Sequence, residues 1–526
     1  NATEVGKRTD ALEASAWNDS QWISAVDAPV VKGHNNGRAA DGASWFVSTV
    51  KNEQKIVSAK WMTAGLGVYE LYVNGKPVGE EFLKPGFTHY AKTKRSFTYD
   101  ITDIIRTKPN AENMLSVQVT PGWWGDKIIT PGGYDGMIGK KCAFRGVLEL
   151  TFSDGTKKRY GTDLENWKAG IAGPVKHAGI FDGEEYDARE PMGFECVDKL
   201  SIPEENTEFS GDILPSDGAE VYLRTDLALA PIRAYIWKNI EGAKENEFGK
   251  VIIAREFASG KEMTVSPGET LVVDFGQNCA GVPSFVFKAA EGTVLTCLPA
   301  ELLNDGNGAK IRGMDGPEGS CHRENLRIPH TGIRLDYTFA AGDNYVTYYP
   351  HCTFFGYRYV SITATGNVSI KSLKSIPVTS ITKELETGTI TTGNDLVNKL
   401  ISNTYWGQLS NYERLGWTAD TQVFAETGTF FANTMKFFHK WMRDMRDTQN
   451  RLGGFPGVAP LAQYGDEKMR LGWADAGIIV PWTVWKQFGD TQIIEENWNA
   501  MNLFMNHIND TKYNHETLCG ENGNYQ

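Results

Sequence analysis

Glu413 and Asp420 bracket a Gly416-Trp417 pair within the run Tyr412 to Phe424, where a loop leads into a long apolar helical pattern. A carboxylic acid can protonate a glycosidic oxygen. A second carboxylate can accept hydrogen bonds from sugar hydroxyls, and a flat indole can stack on the apolar face of a sugar ring. Those are the parts of a sugar-cleaving pocket. Each residue also has a plainer reading. Glu413 could be a surface carboxylate where a helix begins, Asp420 a first-turn partner of the helix dipole, and Trp417 a core residue.

The pattern that must hold these groups is helical. Thr418 is placed to cap a helix whose first turn contains Asp420, with Val423, Thr427, Phe430 and Phe431 following at helical spacing. A second helix is predicted from Phe438, Trp441, Met442 and Met445 at i, i+3, i+4, i+7. The glycines of Leu452-Gly453-Gly454-Phe455-Pro456-Gly457 break the pattern. Asp475 is a candidate start for another helix that Gly489 would end, with Pro481 expected to kink it or mark a later start. Asp490 would cap a last helix with Ile494, Trp498, Met501, Met505 and Ile508 on one face. Asp444 and Asp447, beside Arg443 and Arg446, read as a solvated or inter-helix charge cluster.

Upstream of about residue 380 the character is different: short β-branched and aromatic runs alternate with Gly, Pro, Asn and Asp turns. Asn74-Gly75 between Val68–Val73 and Lys76-Pro77-Val78 is a two-residue hairpin signal, because both turn positions need positive φ. Phe97–Ile101 and Met114–Val119 read as further strands. Thr270–Phe275 reads as a strand ending at Gly276-Gln277-Asn278, and Pro283–Phe287, Gly292–Leu298 and Tyr357–Thr363 read as others. The expected architecture is therefore all-β followed by all-α. It comprises an N-terminal β-sandwich over 1–205, a second β-sandwich over 206–380, and a helical domain over 381–526.

The 526 residues allow several cores. A formal net charge of −12 with no basic run argues against a nucleic-acid partner. No apolar stretch is long enough to span a bilayer as a helix. No signal peptide is visible, but the chain opens on Asn1, so the compartment stays open between secreted or periplasmic and cytoplasmic. Seven cysteines, an odd number without a Cys-x-x-Cys pair, read as small buried hydrophobes rather than a disulfide framework or a metal site. The 15 tryptophans suit carbohydrate contact. Trp123-Trp124, which could form a sugar platform, reads instead as core or inter-domain packing. No cofactor is required. A structural calcium ion would be compatible with a β domain, but no acidic loop of suitable spacing demands one. The oligomeric state is open.

Glu413-Arg414-Leu415-Gly416-Trp417-Thr418-Ala419-Asp420, then Gly472-Trp473-Ala474-Asp475-Ala476 and Val480-Pro481-Trp482, resemble the catalytic domain of the bacterial α-L-rhamnosidases of glycoside hydrolase family 78. Gly67–Lys76 with Pro85-Gly86-Phe87-Thr88 resembles that family's N-terminal β domain. Asp274–Asn278 with Ala300-Glu301 and Phe355–Val360 resembles its next β-sandwich. The resemblance covers nearly the whole chain in the family's order. It implies an (α/α)6 barrel and inverting hydrolysis of terminal α-L-rhamnose from glycosides or polysaccharides. Glu413 would be the general acid, and Trp417, Asp420, Trp473 and Asp475 would line the rhamnose pocket, with no metal ligand among them.

The chain departs from the family's pattern in two places. Gln408-Leu409-Ser410-Asn411-Tyr412 runs directly into Glu413 without the family's preceding polar loop. The run Gly520–Gln526 stops where the family continues through the rest of the barrel, so the general base, a later Glu, has no counterpart and the barrel is expected to be partial. Two other functions are compatible with the sequence: a non-catalytic carbohydrate-binding protein, and an exo-glycosidase of the same barrel fold acting on another sugar.

Overall fold

The computed structural model describes residues 6–28, 42–126, 141–208, 212–305, 314–326, 332–409, 416–460, 469 and 471–510. Two sheets share the first core. One is five-stranded, in the order Trp167–Ile171, Ser44–Lys51, Glu112–Thr120, Val68–Val73, Lys76–Val78. The other is eight-stranded and centred on Thr93–Asp100, Ile56–Leu66 and Ala143–Phe152. Phe46, Tyr69 and Val117 from the first sheet meet Trp61, Phe97 and Phe144 from the second in one buried cluster. This packing of two inner faces is the layer arrangement of a sandwich. The hairpin forms as expected: Asn74 and Gly75 take φ of 52° and 78°, and Val73 pairs with Lys76. Asn74 also ties the turn to the neighbouring strand, accepting from the Met114 backbone N–H at 3.0 Å and donating to Asn113 at 2.9 Å.

The second core lies inside a twelve-stranded hydrogen-bonded network. Its spine is one 20-residue strand, Thr270–Ala289. The expected break at Gly276-Gln277-Asn278 is instead a bulge. Gly276 takes φ +79°, and the register against Phe355–Ala364 shifts between Asp274 and Cys279. The first half of the strand pairs with Arg233–Glu241 and Phe355–Ala364, the second half with Val346–Tyr348 and Val368–Thr379. A strand that changes partners at a bulge turns the corner of a sandwich.

The division at residue 205 does not separate the sheets. Gly183–Asp187 pairs in parallel with Arg334–Thr338 in the second network, and Val175–Gly179 pairs with Gly183–Asp187. Conversely, Asp212–Pro215 pairs with Thr93–Ser96 in the first unit. Chain order and spatial order thus cross here, because edge strands are completed by whichever neighbour is free to pair. The six described cysteines are all free, and only Cys321 is not buried.

A short turn of helix, α1 (Gly122–Gly125), carries Trp123 and Trp124. Trp123 stacks on Phe87 at 5.2 Å, and both tryptophans are buried in a cluster shared with Val282 and Phe354 of the second unit. They serve packing between units.

The helical part follows: α2 (Asp395–Leu409), α3 (Thr418–Phe431), α4 (Met435–Thr448), α5 (Ala476–Phe488) and α6 (Thr491–Asp510). Helix α2 begins after Asn394, whose side chain accepts from the Leu396 and Val397 N–H groups at 2.9 and 3.3 Å. Helix α5 packs against α3, α4 and α6. It runs from the N-cap Asp475 to Gly489 in the left-handed region and continues through Pro481, so that proline does not mark a later start. Phe438, Trp441, Met442 and Met445 of α4 are buried, as their spacing predicts. No described helix is long and apolar enough to cross a membrane.

Three local expectations change. Thr418 does not cap α3: it is the first helical residue, and its hydroxyl donates to the Pro456 and Gly457 carbonyls at 3.1 and 3.0 Å. The buried face of α6 is Ile493, Asn497, Ala500, Met501 and Phe504, while Trp498 and Met505 are exposed. Asn497 is the residue hydropathy misjudges. Its amide donates to the Ile493 carbonyl at 2.6 Å and its oxygen accepts from Arg446 at 2.6 Å, which allows its burial. Finally, Asp444 is neither solvated nor paired between helices. It is buried, and it accepts from Thr88 of the first β unit at 3.0 Å.

Candidate active site

Glu413, the predicted acid, lies outside the described residues. The described site begins at Gly416. Here the chain forms an antiparallel bridge in which Trp417 pairs with Val458. The Ala459 N–H donates to the Gly416 carbonyl at 2.9 Å, and the Thr418 N–H to the Gly457 carbonyl at 3.1 Å. Position 416 requires glycine because a Cβ there would sit 2.0 Å from the Ala459 oxygen. The same oxygen accepts from the Trp441 indole N–H at 3.2 Å, so α4 fixes the outer strand of the bridge.

Trp417 is half-buried. Together with Val458 it packs on the cluster that contains Phe82, Trp123 and Trp124 of the first β unit and Val282 and Ile376 of the second. Its carbonyl accepts from both the N–H and the hydroxyl of Thr421, at 3.1 and 2.8 Å, which sets the first turn of α3. Asp420 sits in that turn with its carboxylate exposed. This placement suits the helix N-terminus and leaves oxygens available to hydroxyl donors.

The second predicted stretch reaches the same region. Gln422, on the next turn of α3, donates to the Gly472 carbonyl. Trp473 and Asp475 are both half-buried just ahead of α5. Asp475 turns its carboxylate back to accept from the Gly472 N–H at 3.2 Å. Its backbone carbonyl accepts from Ile478 and Ile479, both at 2.9 Å. Behind it, Gly477 lets Phe455 approach so closely that a Cβ would fall 2.1 Å from the ring.

The fold thus gathers Trp417, Asp420, Trp473 and Asp475 around the N-terminal ends of α3 and α5. Two structural partners carried no chemical signature in the sequence. Val458 directly follows the stretch Leu452–Gly457, which was read only as a helix break and whose glycine cluster was the available sign of close backbone approach. Gln422 had no distinguishing signal. The arrangement offers two indoles and two carboxylates at adjoining helix starts, a geometry suited to an apolar ring face flanked by hydroxyls.

Known proteins match along the whole order of these units. The model of the bacterial α-L-rhamnosidase N-terminal domain matches residues 54–205, that of the concanavalin-like domain residues 261–381, and that of the six-hairpin glycosidase domain residues 385–524. An α-L-rhamnosidase of Streptomyces avermitilis is 30% identical over 528 residues, covering 95% of this chain and 46% of its own length. One from Formosa agariphila is 28% identical, covering 86% of this chain and 45% of its own. The chain spans about half the length of the curated relatives it matches.

Among solved structures, the Streptomyces avermitilis α-L-rhamnosidase complexed with L-rhamnose superposes with a TM-score of 0.72 at 27% identity, over 90% of this chain and 42% of that one. The Aspergillus terreus α-L-rhamnosidase shares the fold, with a TM-score of 0.74 at 24% identity over 94% of this chain and 52% of that one. With all three domains present in the same order along one chain, and β units followed by helices as in the solved relatives, this protein belongs to the bacterial α-L-rhamnosidase family.

Proposed function

We propose that this chain carries the sugar-binding and acid-donating part of an inverting α-L-rhamnosidase that removes terminal α-L-rhamnose from glycosides or polysaccharides. The observation that carries the reading is the Gly416–Trp417 segment, clamped against Val458 and Ala459 and joined through Gln422 to the Gly472–Asp475 stretch. The relative solved with L-rhamnose supports rhamnose as the sugar.

In this mechanism Trp417 and Trp473 pack on the apolar face of the sugar, and Asp420 and Asp475 accept its hydroxyls. Glu413 protonates the departing glycosidic oxygen while water attacks the anomeric carbon from the opposite face. The acid and a base must then stand ~6.5–9.5 Å apart to admit that water. Glu413 has to be protonated near neutral pH, and the charge of Asp420 is the neighbour proposed to keep it so. Organic cofactors have no part in this chemistry.

The test uses Glu413→Gln in the natural protein with aryl rhamnosides. The amide keeps the shape but cannot give up a proton, so turnover of a natural rhamnoside should fall ~10²–10⁴-fold while rhamnose still binds. A dinitrophenyl rhamnoside departs without protonation and should rescue Glu413→Gln far more than Asp420→Asn. Equal rescue of both variants, or ordinary activity of Glu413→Gln, would remove Glu413 from the acid role. Sugar binding without turnover by the natural protein would favour a non-catalytic carbohydrate-binding protein instead.

A further inference from the structure

A cleft of about 210 Å³ opens on the second β unit. Its walls come from three separate segments: the strand start at Pro231–Ala234, the turn Phe257–Lys261, and Lys371–Lys374. No residue of the candidate active site lines it. Arg233, Lys261, Lys371 and Lys374 are in its lining, and no carboxylate is. The chain as a whole carries −12, so a cleft lined by cations alone runs against the average charge of the molecule.

These cations are held to different degrees. Arg233 pairs with Glu256 at 2.7 Å and lies over the Tyr235 ring at 4.8 Å, which fixes its guanidinium at the rim. The Lys371 ammonium stands 5.4 Å from the centre of the Tyr345 ring. Lys261 and Lys374 are exposed and, among the described residues, in no ion pair. Lys371 is also the extra residue of a bulge. Val286 pairs with Ser372 and Phe287 with Ile370, so Lys371 has no partner across the strand. Bulges redirect a side chain that strict alternation would aim elsewhere.

Between the cations the lining is apolar, with Pro231, Ile232, Met263 and Leu373, and it includes the hydroxyls of Ser259 and Ser372. Ile232 is exposed and adds aliphatic surface to the lining.

The geometry points to a second binding site, one for an anionic saccharide ring whose carboxylate or sulfate ester is taken by Lys261 and Lys374. The apolar lining receives the C–H face of the ring and the serines its hydroxyls. The choice of a saccharide among anions rests on the proposed function; the existence of the anion site does not. Such a site would hold an acidic polysaccharide by a charged residue while a different, terminal residue is presented to the catalytic pocket.

Affinity electrophoresis of the full chain tests this without any rhamnoside. Polygalacturonate supplies the carboxylate arm, dextran sulfate the sulfate arm, dextran the neutral control, and poly-L-glutamate the non-saccharide polyanion. Retardation by one or both anionic polysaccharides is expected, weakened by added salt, with none by dextran. The Lys261→Ala, Lys374→Ala double variant should raise the dissociation constant roughly tenfold. Both side chains are exposed, so its unfolding midpoint should match the parent's. No retardation by either anionic polysaccharide, or a double variant that binds as the parent does, would overturn the site. Equal retardation by poly-L-glutamate would overturn its saccharide character.

Discussion

The Thr88 hydroxyl of the first β unit donates to the buried Asp444 carboxylate of α4 at 3.0 Å. Lys440, one helical turn earlier, donates to the same carboxylate and to the Phe87 carbonyl. Between them on the helix, Trp441 donates to the Ala459 oxygen that opposes Gly416. The contact that docks α4 on the β unit is therefore a few bonds from the segment that carries Trp417.

Replacing Asp444 by Ala should cost about 3 kcal/mol, because a Lys440 ammonium that is largely buried then loses its carboxylate. Chemical denaturation measures this. Removing both charges together, as Lys440→Met with Asp444→Leu, should cost less than the single change. A single variant as stable as the parent would show that this pair does not anchor the helix.

Gly416→Ala places a methyl group 2.0 Å from the Ala459 oxygen, which is backbone and cannot swing away. The bridge between Trp417 and Val458 must open, at about 1–3 kcal/mol. Sugar binding should weaken more than it does in Gly393→Ala, a position where an added Cβ meets nothing within 4 Å. Titration of both variants with rhamnose, followed by tryptophan fluorescence, compares them. Equal binding would separate the bridge from the pocket.

His351 and Glu70 join the two β units at 2.9 Å. Burial alone would lower His351, but the Glu70 charge and hydrogen bond, with Glu184 beyond, raise it from 6.5 to about 9. Burial alone would raise Glu70, but His351 and the Tyr72 hydroxyl bring it from 4.5 to about 2. Tyr348 and Cys352 also face this group through Glu184. The histidine's contribution is fully present below pH 6.5 and is lost as pH rises through 9; the carboxylate's is present above pH 4.5 and is lost as pH falls through 2. The contact is thus strongest between pH 4.5 and 6.5. Both side chains are partly exposed, at 35% and 26%, so solvent screening leaves about 1 kcal/mol. Stability should decline between pH 6.5 and 9 in the parent and be flatter in His351→Gln; parallel pH curves would dismiss the pair.

Val423 and Phe430, two helical turns apart on α3, are 78% and 57% exposed, and Trp482 of α5 is 55% exposed. Apolar side chains presented in this way bind hydrophobic dyes. The dye signal of this chain should fall when Val423 and Phe430 are both changed to Ser, with little change in the unfolding midpoint. An unchanged signal would place the dye elsewhere.

Patterns that depend only on near neighbours were legible in the sequence. Asn74-Gly75 announced its hairpin because few residue pairs tolerate positive φ twice. Asp475 and Gly489 marked the ends of α5: Gly489 closes the helix in the left-handed region, while Asp475 stands at its start with its carboxylate turned back to the Gly472 N–H rather than capping α5. The buried face of α4 followed from period and hydropathy, as did the order of β before α. The residue types of Trp417 and Asp420 drew attention to one stretch, and only the family resemblance pointed to Trp473 and Asp475 in a second, far along the chain.

Whatever depended on a distant partner was decided by the tertiary structure. Gly276 looked like a strand end and is a bulge, because strands on both sides continue to pair across it. Gly183–Asp187 joins the second network because Arg334–Thr338 offers it a parallel edge. The buried face of α6 rotates onto Asn497 because Arg446 satisfies the amide oxygen. Asp444 is buried because Thr88 and Lys440 supply its hydrogen bonds. The sequence by itself put forward Trp417, Asp420, Trp473 and Asp475 as candidates for a sugar pocket. Their convergence came from hydrogen bonds and packing between segments that chain order keeps apart, such as Gly416 with Ala459 and Gln422 with Gly472.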